Sequence, residues 1–118
     1  MRDAPEPASP KYQLTFDTPL VDFGVVKRGE KREHTFHFRN TGTDPVEIAI
    51  VTSCDCTTLT WPEGKIIKPG STDEIHAVFD SAEKEKSETV DIDIILEQND
   101  AKGHPIVYTV QYVFELVE

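Results

Sequence analysis

Over residues 106–116 every second position is apolar or aromatic: Ile106, Tyr108, Val110, Tyr112, Phe114 and Leu116. Side chains two apart share one face of a β-strand, so this spacing requires a strand with one buried face and is incompatible with an amphipathic helix. The same alternation recurs upstream. Residues 12–16 align Tyr12, Leu14 and Phe16, and residues 21–26 align Val21, Phe23 and Val25. Residues 31–40 turn Phe36 and Phe38 inward, with Glu33, Thr35, His37 and Arg39 outward. Residues 46–52 point Val46, Ile48 and Ile50 inward, and residues 57–61 read as a short edge strand. Ile75, Ala77 and Phe79 mark one further strand, and Val90, Ile92, Ile94 and Leu96 another. Between them lie turn sequences rich in glycine and proline, such as Thr41-Gly42-Thr43-Asp44-Pro45 and Lys68-Pro69-Gly70-Ser71. Residues 81–88 read as a solvated hairpin loop.

About seven to nine short strands, spaced by about 8–12 residues with turns between, predict an all-β, immunoglobulin-like antiparallel β-sandwich. It is expected to occupy residues 12–118, after a Pro/Ala-rich segment over residues 1–11 that reads as a disordered tether. A chain of 118 residues supports one hydrophobic core. Its 22 acidic residues against 12 basic ones give a net charge of −10. That charge repels phosphate backbones and anionic lipid, so no nucleic-acid partner is expected. No apolar run approaches the roughly 20 residues of a membrane helix, so no membrane insertion by this segment is expected. The N-terminus also lacks the apolar stretch of a signal peptide. It reads either as a native tail or as a start from which a leader has been removed.

The only cysteines, Cys54 and Cys56, flank Asp55 at the end of a predicted strand. Such a pair can form a disulfide, chelate a soft metal, act as reactive thiols, or pack as inert side chains. In an extended strand the two Cα atoms stand roughly 6.5–7 Å apart, at the edge of the range of about 4.4–6.8 Å that a disulfide spans. A disulfide therefore needs a bend at Asp55, and its tiny loop would add little stability through chain entropy. Copper or zinc would need more ligands than two thiolates. His37 and His76, on outward faces of strands that pair in such sandwiches, are the candidates. His34 reads as a partly buried core histidine, and His104 as solvent-facing. Against thiol chemistry, Asp55 between the sulfurs raises their pKa, and no helix N-terminus is predicted nearby. No serine elbow or metalloprotease helix motif is present. Asp91 and Asp93 read as ordinary solvated strand residues. Trp61 reads as a lid over the end of the core or as an exposed contact residue.

Phe23-Gly24, Val26, Gly29, Phe36, Phe38, Asn40, Gly42, Ser53-Cys54-x-Cys56-Thr57-Thr58, Trp61-Pro62, Ile67, Pro69-Gly70 and Phe79 together resemble a bacterial family. It is known as domain of unknown function fifteen-seventy-three, and is similar to Hydin-type and major-sperm-protein-like immunoglobulin sandwiches. The resemblance covers about residues 21–96, and Ser-Cys-x-Cys-Thr is its most specific element. It implies export to the periplasm or cell surface of a bacterium, commonly with a signal or lipoprotein leader and so an N-terminal lipid anchor. It implies no activity. The family usually carries glycine where this chain has Asp55, which makes a tight turn less assured.

The expected function is a non-catalytic, exported interaction or structural module without a cofactor. Its partner would be a protein bound at a sheet edge or at the end carrying Asp55 and Trp61. The alternative is an envelope protein handling copper, zinc or thiol redox through Cys54 and Cys56, with His37 and His76.

Overall fold

The computed structural model describes residues 11–118. Apart from Lys11, the tether expected over residues 1–11 lies outside the described residues. The elements run β1 (Leu14–Phe16), β2 (Leu20–Lys27), β3 (Lys31–Asn40), β4 (Ile48–Thr52), β5 (Thr57–Thr60), β6 (Thr72–Asp80), a 3₁₀ turn (Ser81–Glu83), β7 (Glu88–Asn99) and β8 (Pro105–Val117). They form two four-stranded sheets, ordered β1-β3-β6-β5 and β2-β8-β7-β4. The expected immunoglobulin-like sandwich is what forms. One pairing departs from the antiparallel expectation: β2 runs parallel to β8. Strands from opposite ends of the chain share no tight connection, so no hairpin dictates their relative direction.

The inner faces supply the core. Phe36, Phe38, Ile75, Ala77 and Phe79 from one sheet meet Ile92, Ile94, Leu96, Val110, Tyr112 and Phe114 from the other. All of these were legible from period two alone. An aromatic cluster occupies one part of this core, with Phe79 against Tyr112 at 5.0 Å and against Phe114 at 4.5 Å between ring centroids.

Two strands break the expected alternation. In β2 the register against β8 slips between Asp22 and Val25. Gly24 takes a left-handed φ of 72° and donates its N–H to the Asp22 carboxylate at 2.7 Å. One extra residue on β2 flips everything beyond it, so Val26 is buried and Val25 is 57% exposed. In β4 the register slips between Ile48 and Ile50. Val51 therefore enters the core where Ile50 was expected, and Ile50 turns outward, 44% exposed. Val46 precedes β4 and is held by an isolated bridge to Ile67.

Ser81, expected in a solvated loop, is fully buried. Its hydroxyl donates to the Glu30 carbonyl at 2.6 Å and accepts from the Gly29 N–H at 2.9 Å, tying the β2–β3 turn to the end of β6. Asn40 is likewise fully buried. It donates to the carbonyls of Asp44 and Ile67 and accepts from the Gly42 N–H. Gly42 sits so close to the Lys11 and Gln13 backbone that a Cβ there would collide with it.

Candidate functional site

β4 is an edge of one sheet and β5 an edge of the other, and residues 53–56 carry the chain from one to the other. The Cys-Asp-Cys segment therefore forms a corner on one side of the sandwich, between two sheet edges. Three hydrogen bonds fix it. Ser53 Oγ donates to the Asp91 carbonyl on β7 at 2.7 Å, and the Asp80 N–H at the end of β6 donates to the Cys56 carbonyl at 2.9 Å. The Thr57 N–H donates to the Cys54 carbonyl at 3.1 Å, closing a four-residue turn over residues 54–57.

That turn brings the two Cα atoms to 5.1 Å, inside disulfide range, and the sulfurs are joined. Asp55 needs no left-handed backbone to make it, since no non-glycine among the described residues has positive φ. Aspartate at this position is thus no obstacle to the turn. Asp55 itself is exposed, Cys54 is half-buried and Cys56 is 4% exposed.

Two hydroxyls lie beneath the sulfurs. Tyr112 reaches up from the middle of β8, its ring among the core aromatics, and its OH stands 3.4 Å from Cys56 Sγ and 3.9 Å from Cys54 Sγ. Thr57 Oγ1 is 3.4 Å from each sulfur and 2.6 Å from the Tyr112 OH. Burial pushes the Tyr112 phenol up to about 12, opposed in part by its hydrogen bond to Thr57. Neither Tyr112 nor Thr57 stood out in the sequence as a site residue. Tyr112 lies 56 residues from Cys56 and read only as one more inward aromatic.

His37 and His76 occupy the outer face of the other sheet. β3 and β6 pair as expected, but His37 lies opposite Glu74 and His76 opposite Thr35, so the two imidazoles are diagonal rather than facing. His76 Nδ1 meets Thr35 Oγ1 at 2.8 Å, and its Nε2 stands 3.1 Å from Glu33. His37 lies 3.9 Å from Glu74. Among the described residues no group of three or more His, Cys, Asp or Glu side chains is gathered to hold a metal ion. His34 is half-buried with its ring edge-on to Phe36, and its Nε2 has no hydrogen-bond partner. Burial pushes its pKa down; Asp17 opposes this, while His37 and His76 reinforce it. His104 is exposed in the turn between β7 and β8.

Trp61, just beyond β5, packs half-buried against the core with its indole N–H buried and unpartnered. Its ring is thus mainly a lid. Asp91 and Asp93 are more than solvated strand residues, for they accept hydrogen bonds from Gln111 at 2.7 Å and Thr109 at 2.8 Å.

A family model described as "Protein of unknown function (DUF1573)" matches residues 14–110, nearly the whole sandwich. The chain belongs to this family. No curated protein sequence matches it. Among solved structures, a protein of unknown function from Porphyromonas gingivalis W83 is similar, with a TM-score of 0.69 and 25% identity over 95% of this chain and 50% of that one. The Vibrio cholerae VesB protease has a TM-score of 0.67 and 15% identity over 87% of this chain and 32% of its own. The seventh PapD-like (ASH) domain of human CEP192 has a TM-score of 0.67 and 12% identity, over 100% of this chain and 93% of that one. The chain therefore spans half of the first relative and about a third of the protease. The last two likenesses concern the fold and carry no activity across.

Proposed function

We propose that this domain is a non-catalytic, exported module that binds a protein partner along β4 and the adjoining face of its sheet. The observation that carries this reading is an outward apolar row. Ile50 on β4 is registered with Ile95 on β7, which is registered with Val107 on β8. Ile50 and Val107 are 44% and 50% exposed, and the row runs to an open sheet edge. An edge offers unpaired backbone groups to an added strand, and an apolar row beside it gives that strand side-chain contacts. The partner segment this chemistry suits is extended, apolar at alternate positions and flanked by basic residues, to complement the charge of −10.

The non-catalytic half of the reading rests on where the polar side chains sit. The Thr35–His76–Glu33 chain lies on an open sheet face, with the Glu33 side chain 68% exposed, where water competes for any developing charge. Export is supported by the joined cysteines, since disulfides persist in oxidising compartments. In this reading the full-length protein reaches the periplasm or cell surface of a bacterium, carried by a leader or lipid anchor. Protease protection in cell fractions tests that placement.

The binding surface is tested with an Ile50→Lys/Val107→Lys double variant beside a Val25→Lys control on the opposite side. Both are surface changes and are expected to leave the melting temperature within a few degrees. The double variant is expected to lose the protein that co-isolates with the wild type from the native envelope, while the control keeps it. Retention by the double variant would overturn the reading.

A further inference from the structure

We infer that the Cys54–Cys56 disulfide is a stoichiometric thiol-exchange site, attacked at Cys54 and released at Cys56, whose redox partner is a protein dithiol. The inference is separate from the choice of binding surface and rests on how unequally the two sulfurs are placed. Cys54 is half-buried and open to an incoming thiolate, whereas Cys56 is 4% exposed. The sulfur that cannot be reached is the one nearer the Tyr112 hydroxyl, at 3.4 Å against 3.9 Å for Cys54, while Thr57 Oγ1 stands 3.4 Å from both. One of these two hydroxyl protons is taken by the 2.6 Å bond between Thr57 and Tyr112, and the other has little to do for a neutral disulfide, because divalent sulfur is a weak acceptor. It matches a leaving thiolate, which is a charged acceptor in need of a donor once it is released into a buried place. The raised pKa of Tyr112 keeps its proton available through the neutral and mildly alkaline range.

The exchange proceeds in two displacements. A partner thiolate attacks Cys54 Sγ, the Cys54–Cys56 bond breaks, and Cys56 leaves as a thiolate that accepts one hydrogen bond from the Tyr112–Thr57 hydroxyl pair, one member of which donates to the other and the other to the sulfur. The partner's second thiolate then attacks its own sulfur in the mixed disulfide and expels Cys54 as a thiolate. Each new thiolate takes one proton from water. The domain thus gains two electrons and two protons, and the partner's dithiol becomes a disulfide. Exposed Asp55, the residue between the two cysteines in the chain, disfavours anionic attackers. The loop closed by the bond spans one intervening residue, so the bond constrains the unfolded chain little, and opening it leaves the sandwich standing.

The experiment reduces the folded, oxidised domain with cysteamine, 2-mercaptoethanol and glutathione, compared at equal thiolate concentration. Samples are acid-quenched, and the mixed disulfide is located by mass spectrometry. The adduct is expected on Cys54. The rates are expected to fall in the order cysteamine, 2-mercaptoethanol, glutathione, with the spread narrowing in high salt and in Asp55→Asn. Tyr112→Phe and Thr57→Val each break the hydroxyl pair that serves the leaving sulfur and are expected to slow reduction by about tenfold, while Thr57→Ser retains the wild-type rate. A purely structural role predicts the opposite sign, because loosening the corner speeds attack. An adduct on Cys56, faster reduction in both donor variants, or a reduction rate equal to the rate of global unfolding would overturn the inference.

Discussion

Tyr112 belongs to two environments at once. Its ring packs 5.0 Å from both Phe23 and Phe79, while its hydroxyl meets Thr57 and the sulfurs at the corner. A buried phenol that titrates higher in the folded than in the unfolded chain makes stability depend on pH in a definite direction. The unfolded chain loses the proton near 10, and the folded one near 12. Stability from Tyr112 is therefore complete below pH 10 and declines as pH rises from 10 towards 12, by about 2–3 kcal/mol at the end of that range. His34 has the opposite sense: its folded pKa is depressed, so its contribution is complete above 6.5 and declines as pH falls below it. Urea unfolding midpoints taken at pH 8 and pH 11.5 check the first of these. The drop is expected to shrink in Tyr112→Phe, and an equal drop in both proteins would contradict the assignment.

Strands β2 and β4 show what an element can hide from its own sequence. Period two identified every inward residue of β6, β7 and β8, because those strands are central in their sheets and the one register shift between β7 and β8, from Ile95 to Asn99, adds two residues and so leaves the faces unchanged. It misplaced Val25 and Ile50, because one extra residue reverses the faces of everything that follows, and alternation cannot display an insertion. Gly24 was the available signal for the first slip. For the second, neighbouring Ile50 and Val51 are equally apolar, and only the partner strand decides between them. Ser81 was misread for a related reason, since its polarity suited a loop until its backbone partners at residues 29 and 30 were known. Of the candidate site, the cysteines were visible, whereas the hydroxyls beneath them depend on β5 and β8 being brought together across the sandwich. Asn40 shows the same dependence at the end of β3, where it ties the following turn to the Ile67 strand bridge. Asn40→Ala leaves the Asp44 carbonyl and the Gly42 N–H without their partner, while the Ile67 carbonyl keeps its bond from the Val46 N–H, and is expected to cost about 2 kcal/mol. Chemical denaturation measures it, and a cost under about 1 kcal/mol would show that water replaces the amide.

At the scale of the molecule, the two sheets leave four edge strands, paired on two sides. On one side β1 passes into β2, and on the other β4 passes into β5 through the disulfide corner. The sides are not equivalent. Beside β4 the outward face carries the Ile50, Ile95 and Val107 row, whereas β2 shows the single exposed pair Leu20 and Val25 around its bulge. Elsewhere the outward face of the same sheet is mixed, with Val117 exposed at the end of β8 and, between the two sides, Asp93 bonded to Thr109 and Asp91 to Gln111. The central claim is that binding takes place on the β4 side. A photoreactive amino acid placed at Ile50, and in a second protein at Val25, measures this in living cells of the native host. The account predicts one discrete cross-linked protein from Ile50 and none from Val25. Cross-linking from Val25 alone, or from neither position, would contradict it.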